Sequence, residues 1–260
     1  MKETCRDKNP HVIHDITPKY QQYQRLLYGP WGIPGIDLTP SVIVKKPIIS
    51  PPNSINQKAA SDSILGSLFA SAAGDMLGAG TEGLPRNLAK AELIGEKKNI
   101  AWTHPRCIHR NKYFVRASPT DDTSQCLLII RSIIDTNTNH YKSSTCFDFD
   151  GVKIDPCDFG RKLIDWIKHG HPEHKQKRGY GVGSKTVEVC SNENFLKKPF
   201  SASEEEWRKS GEKMFSNGCI MRIASSGCFA FWNEKVVVGI SSTFAKMTHF
   251  DPRCVFSSVS

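Results

Sequence analysis

Four consecutive residues, Thr120-Asp121-Asp122-Thr123, set two adjacent carboxylates between two hydroxyls, just ahead of the apolar run Leu127-Leu128-Ile129-Ile130. Neighbouring carboxylates repel. Placing them side by side costs stability unless a cation, a helix N-terminus or open solvent offsets the charge. The apolar run reads as a helix, so both acids fall in its first turn, after Ser118-Pro119. Four hard oxygen groups at one helix start suit Mg²⁺ or Ca²⁺ better than zinc. The same residue types also make an ordinary N-cap, because Thr and Asp are favoured there and first-turn acids complement the helix dipole. The two readings, metal site and cap, have to be separated by the rest of the chain.

Further candidates cluster in glycine-punctuated stretches. Glu82 lies in a loop bounded by Gly78, Gly80 and Gly83. Gly179-Tyr180-Gly181-Val182-Gly183-Ser184 precedes a helical stretch; Ser216-Asn217-Gly218-Cys219-Ile220-Met221-Arg222 and Thr248-His249-Phe250-Asp251 follow later. Glycine lets backbone N–H groups approach a phosphate closely. Gly181-x-Gly183 is nevertheless short of a dinucleotide fingerprint, and Asn217-Gly218 is first of all a turn signal. His249 beside Asp251 reads either as a polar ligand contact or as a capped, satisfied histidine.

The elements that must position these residues are mostly helical. Ile64, Leu65, Leu68, Phe69, Ala72, Ala73, Met76 and Leu77 recur at helical spacing from a cap expected at Ser61-Asp62. Small residues opposite them predict a helix buried on nearly every side, ended by the glycines around Gly78. Further helices are expected over 120–135, 158–169 with Gly170 as the stop, from Ser203 towards Phe215, and over 234–247. Ser203-Glu204-Glu205-Glu206 has capping-box spacing. Asp251 would cap a last helix at Pro252. Residues 86 to 117 show no sustained period, Trp102 to Pro105 reads as a loop, and Asp148-Phe149-Asp150 is assigned to a loop. Strand alternation is scarce, so the fold class is all-α, a compact orthogonal helical bundle.

Composition bounds the rest. The chain has 260 residues, 38% of them hydrophobic. That is enough for one sizeable domain. Residues 58–260 form it, behind a Pro-rich, basic tail over 1–57 whose aromatic piece, Tyr20 to Trp31, is a candidate for docking on the domain. The nine cysteines contain no C-x-x-C pair, so a structural zinc site has no support. The net charge of +9 permits a polyanionic partner. Residues 1–58 carry eight Lys/Arg against four Asp/Glu, and a second basic cluster runs from His169 to Arg178. Neither shows the aromatic or glycine pattern of a nucleic-acid module. No stretch reaches the roughly 18 apolar residues of a membrane span, and the polar N-terminus has no signal-peptide core. A cytoplasmic or nuclear monomer is expected.

The order of the motifs resembles the ADP-ribosylglycohydrolase (ADP-ribosyl hydrolase) family. A helix ends in Gly74-Asp75-x-Leu77-Gly78-Ala79 with Glu82 beyond. Thr120-Asp121-Asp122-Thr123, Gly181-x-Gly183, Asn217-Gly218-x-x-Met221-Arg222 and Thr248-His249-x-Asp251-Pro252 follow. The resemblance covers about residues 61 to 260. It implies an all-α bundle with two Mg²⁺ ions in a central cleft, and hydrolysis of the anomeric bond joining ADP-ribose to a protein or related acceptor. By motif match, Thr120, Asp121 and Asp122 would be metal ligands, with Glu82 a metal-linked or proton-handling carboxylate. Gly181, Gly183, Asn217, Gly218, Met221, Arg222, His249 and Asp251 would bind ADP-ribose. Asp75 could instead brace its own loop. The family also draws a second Asp-x-Asp-Ser/Thr cluster from a helix near its C-terminal end. None follows His249 here, so the sequence reads as C-terminally truncated relative to the family, with one Mg²⁺ or none. The alternative is an inactive ADP-ribose-binding protein on the same scaffold.

Overall fold

A computed structural model describes residues 51–79, 81–94, 119–138, 145–171 and 176–260. The tail up to residue 50, with Tyr20 to Trp31, and the loop expected at Trp102 to Pro105 lie outside the described residues.

The chain builds nine α-helices, one 3₁₀ helix and one hairpin among the described residues. Helix α1 (Gln57–Gly78) opens at Asn56, whose side chain accepts from the Ala59 N–H at 3.1 Å. The cap is therefore Asn56, and Ser61-Asp62 lie inside the helix. Asn is as good a cap as Ser, and the extra turn carries little apolar signal. Of this helix only Met76 is buried, so it is not enclosed on every side as its small residues suggested. Helix α2 (Arg86–Ile94) falls in a stretch where no period was evident.

Helix α3 (Asp121–Thr138) is the central element. It buries Leu128, Ile129, Ser132, Ile133 and Thr136 and packs against elements on several sides, including α1. Next comes a hairpin, β1 (Phe147–Phe149) and β2 (Val152–Ile154), in antiparallel register with Phe149 opposite Val152. Its two-residue turn, Asp150-Gly151, has φ of 47° and 94°. Positive φ at both positions is what a type I′ turn requires, and Asp-Gly supplies it. The Asp148 to Asp150 segment is thus strand and turn, and the all-α architecture carries this one small hairpin.

Helix α4 (Pro156–His169) starts one turn's edge earlier than expected. Asp155 accepts from the Cys157 N–H at 2.9 Å, and Pro156 takes the first helical position. Gly170, at φ 68°, closes it. Helix α5 (Ser184–Cys190) follows the Gly181-x-Gly183 loop. Helix α6 (Pro199–Lys209) begins at its proline, so Ser203 lies buried mid-helix and caps nothing. The last turns expected towards Phe215 are not helical, because Gly211, at φ 67°, turns the chain away. A 3₁₀ helix, η1 (Asn217–Ser226), occupies what reads in sequence as a loop. It leads into α7 (Gly227–Ala230), α8 (Glu234–Lys246) and α9 (Pro252–Ser257). The core is continuous through Ile129, Ile133, Ile154, Phe159, Leu163, Phe195 and Phe244. Phe159 and Phe244 meet edge to face at 5.0 Å.

Candidate functional site

An N-terminal helix end carries backbone N–H groups without partners. At α3 the residue that satisfies them comes from another helix. Asp75, in the last turn of α1, accepts through Oδ2 from the Thr120 N–H (2.8 Å), the Thr123 N–H (3.2 Å) and the Thr123 hydroxyl (2.7 Å). Its Oδ1 accepts from the Thr120 hydroxyl at 2.7 Å. Asp75 therefore caps α3 across a helix–helix contact and braces the acidic motif itself, not merely its own loop.

With capping supplied by Asp75, Asp121 and Asp122 are left for something else. Thr120 Oγ1 stands 2.7 Å from Asp75 Oδ1 and 3.0 Å from Asp122 Oδ2. One hydroxyl proton cannot serve two carboxylate oxygens, so one of these contacts opposes lone pairs unless a proton or cation intervenes. Burial, then the charges of Asp122, Glu82 and Asp75, raise the Asp121 carboxyl from 3.8 to about 7. The Asp122 carboxyl is raised too, first by burial and next by Asp75. A hard divalent cation is the species that relieves such a cluster, and oxygen donors are what it takes. The donor chemistry fits. The side chains are not, however, closed into a ready cage: among the described residues no three His, Cys, Asp or Glu stand together as a metal-holding group.

The acids open onto a cleft of about 500 Å³, within the range of small-molecule sites. One wall comes from the C-terminal end of α1, where Gly74 with Gly78 and Asp75 with Ala79 recur every four residues on one face. Glu82 stands just past this end; its N–H donates to the Gly78 carbonyl at 3.0 Å. The floor is Thr120, Asp121 and Asp122. Gly181 lies at φ +82°, and a Cβ there would collide with the Asp121 carboxylate. Gly183 also lines the cleft, but a Cβ on it would meet nothing within 4 Å. Lys185 lines the same side and donates to Glu188 at 2.9 Å.

The opposite wall is the start of η1. In a 3₁₀ helix residues three apart share a face. Gly218 and Met221 face the cleft with Ser216 and Asn217, whereas Cys219, Arg222 and Ser225 are buried. Among the residues singled out from sequence, the structure therefore brings Glu82, Thr120, Asp121, Asp122, Gly181, Gly183, Asn217, Gly218 and Met221 to one cleft. It does not bring Arg222, His249 or Asp251 to the cleft lining.

Those three have other work. Arg222, 0% exposed, donates to Gln125 Oε1 (2.7 Å), the Phe244 carbonyl (2.6 Å) and Thr248 Oγ1 (2.6 Å), with its guanidinium 5.4 Å from the Phe159 ring centre. Burial lowers its pKa to about 10, so it stays charged at neutral pH. His249 stands directly behind the wall, 2.8 Å from Ser216 Oγ and 2.8 Å from Thr248 Oγ1. A Cβ on Gly218 would come within 3.1 Å of its Nε2. Burial, and then Arg222, push the imidazole down to about 3, so it is neutral. Asp251 caps α9 through the Arg253 N–H (2.9 Å) and accepts from Trp207 Nε1 (3.0 Å). The Arg253 side chain holds its carboxyl well below the usual range. Lys185 lines the cleft without any spacing signal that marks it, whereas Ser216 lies in a glycine-bearing stretch and Gly74 and Gly78 stand four residues apart on one helix face.

A helical bundle with an acidic helix start facing a glycine-lined cleft offers space and polar groups for a polar ligand. The chain belongs to the ADP-ribosylglycohydrolase family, which matches residues 56–260. The family acts on ADP-ribosylated substrates and is usually metal-dependent. The chain is 29% identical over 172 residues to a protein of Escherichia coli (strain K12) described as "Uncharacterized protein YegU". The match covers 64% of this chain and 41% of that protein, so the chain spans well under two thirds of its length. No solved structure matches. Among the described residues no helix is long and apolar enough to cross a membrane.

Proposed function

We propose that this chain carries the ADP-ribose cleft of a Mg²⁺-dependent hydrolase that cleaves the glycosidic bond between ADP-ribose and a protein or related acceptor. The observation that carries the reading is the pair Asp121–Asp122, relieved of capping by Asp75 and left crowded at the floor of the cleft. Thr120, Asp121 and Asp122 would hold the cation, with Glu82 at its edge. A bound Mg²⁺ supplies Lewis-acid chemistry, fixing ribose hydroxyls and making a water more acidic. Glu82 takes the proton of the attacking water, whose oxygen bonds the anomeric carbon. The bond to the acceptor breaks with its electron pair leaving on the acceptor atom. Gly181 holds the Asp121 carboxylate in place by close approach, while Asn217, Gly218 and Met221 bound the ligand opposite. Arg222 and His249 support that wall from behind.

The test is calorimetric titration of ADP-ribose with and without Mg²⁺, on the wild-type chain and on Asp121→Ala/Asp122→Ala. The expected result is Mg²⁺-dependent binding that the double variant loses. A folded wild-type chain that binds no ADP-ribose in either condition would sink the reading. The alternative is an ADP-ribose-binding protein without turnover on the same cleft. Release of ADP-ribose from a modified protein separates the two.

A further inference from the structure

Behind the cleft wall runs a chain of buried polar contacts whose direction can be worked out donor by donor. Arginine only donates. Arg222 Nη2 reaches the Phe244 carbonyl and Thr248 Oγ1, both at 2.6 Å, so the Thr248 oxygen is an acceptor there. Thr248 is 0% exposed, and its own proton has one acceptor among the described residues, His249 Nδ1 at 2.8 Å. Nδ1 must then be the unprotonated nitrogen. The neutral imidazole carries its proton on Nε2, which donates to Ser216 Oγ at 2.8 Å. The reverse polarity would set an imidazole N–H and a hydroxyl proton against each other at a fully buried threonine.

The consequence falls on Ser216. It occupies the N-cap position of η1, where serine ordinarily accepts from a backbone N–H two or three residues on. It makes no such bond here. Its oxygen accepts from His249 instead, and its hydroxyl proton has no acceptor among the described residues. The side chain is exposed and lines the cleft.

We infer that Ser216 is a directed hydrogen-bond donor to an oxygen of the bound ligand, its proton turned into the cleft by the relay Arg222 to Thr248 to His249. The identity of that oxygen, as one belonging to ADP-ribose, rests on the function proposed above; the relay does not. Ser216 is the contacting residue. His249 and Thr248 are positioning residues that act through it.

Two measurements test this. Long-range proton–nitrogen correlation of the His249 imidazole in the wild-type chain at neutral pH reads the tautomer directly. The proton is expected on Nε2; a proton on Nδ1 overturns the relay. ADP-ribose titration reads the contact. Ser216→Ala is expected to weaken binding about tenfold, the worth of one hydrogen bond to a polar or charged acceptor, and Ser216→Thr, which keeps a hydroxyl, to recover most of it. Thr248→Val should weaken binding only while Ser216 is present, so that Thr248→Val/Ser216→Ala is no weaker than Ser216→Ala. Additive losses would mean that Thr248 acts on packing alone and overturn its positioning role. Unchanged affinity in Ser216→Ala overturns the contact. A wild-type chain that does not bind ADP-ribose overturns the proposed function and the identity of the acceptor, while the imidazole signal still decides the relay.

Discussion

Two polar centres lie on either side of the η1 wall, and they treat charge in opposite ways. At the start of α3, Asp121 and Asp122 face the cleft with Asp75 and Glu82 nearby, and burial together with these like charges raises the cost of ionising Asp121 and Asp122. In the interior, the Arg222 guanidinium is fully buried and donates to three neutral acceptors, in α3, in α8 and in the turn that follows α8. The first centre crowds like charges together, next to space for a ligand. The second has partners fixed in place and no space at all. Unmatched charge at a cavity is where a ligand can be bound with gain; matched charge in the interior holds walls in register. Sequence alone does not distinguish them, because both appear as polar residues in short glycine-bearing motifs.

The largest effect is expected from breaking the interior centre. Arg222→Ala leaves Gln125 Oε1, the Phe244 carbonyl and Thr248 without their donor and opens a cavity beside Phe159. A loss of about 3 kcal/mol or more in urea unfolding is expected. A loss under about 1 kcal/mol would show that the network is not architectural. The comparison sharpens if Asp121→Ala/Asp122→Ala, at the other centre, leaves stability equal or higher in chelator, since it removes repulsion and not support.

Gly181→Ala should come next. The position needs φ +82° and has no room for a Cβ beside the Asp121 carboxylate. Strain of about 1–3 kcal/mol is expected in unfolding measurements. Mg²⁺-dependent stabilisation should fall with it, because the displaced carboxylate is one that would hold the cation. An alanine variant with parent stability would mean that the loop gives way freely and that Asp121 is not positioned by it.

The acidic centre also has a pH signature. The folded Asp121 carboxyl titrates near 7 against an ordinary 3.8, so between those values the folded state holds the extra proton. Its contribution to stability is full below about 4 and is lost as pH rises through about 7. Neutral, buried His249, pushed down to about 3 from 6.5, gives the opposite slope over that lower window, with stability rising as pH climbs towards 6.5. The two largely cancel in acid, so the clean reading is the difference between the wild type and Asp121→Asn, both in chelator. The wild type should lose stability relative to the variant between pH 6 and 8, and Mg²⁺ should restore it in the wild type only. Parallel curves would mean that Asp121 is not under this strain.

How much of this was legible follows from what each signal depends on. The acidic motif and the amphipathic helices α3, α4 and α8 are local patterns, and local patterns read well. The hairpin was readable in principle, since Asp150-Gly151 between Phe-Asp-Phe and Val-Lys-Ile is a strong turn signal; its brevity hid it. Capping-box spacing points to Ser203 as the start of α6, whereas Pro199 at the first helical position sets it. Adjacency in sequence puts Arg222 beside Met221 in the ligand cleft. A three-residue helical period, which no composition announces, turns the two to opposite sides. Asp75 capping a helix 45 residues away, and His249 acting through Ser216, are tertiary facts with no sequence period behind them.

The smallest effect should come from Gly183, and it is the most useful control on the reading of Gly181. Both glycines sit in one loop, line one cleft and match one motif. Gly183 takes φ −65° at the N-cap of α5, a conformation open to any residue, and a Cβ there meets no atom within 4 Å. Gly183→Ala should change stability by less than about 0.5 kcal/mol. Serine at 183 could add a cap that the helix lacks, worth a few tenths of a kcal/mol relative to glycine. The loop's tolerance would then differ completely over two residues. A steric need of the folded chain acts at 181 and none at 183, so any requirement for glycine at 183 must come from the ligand. A Gly183→Ala chain with parent stability and weakened ADP-ribose binding would show that the ligand approaches the backbone there. Parent stability with parent affinity would confine the glycine requirement of this motif to the carboxylate it presses against.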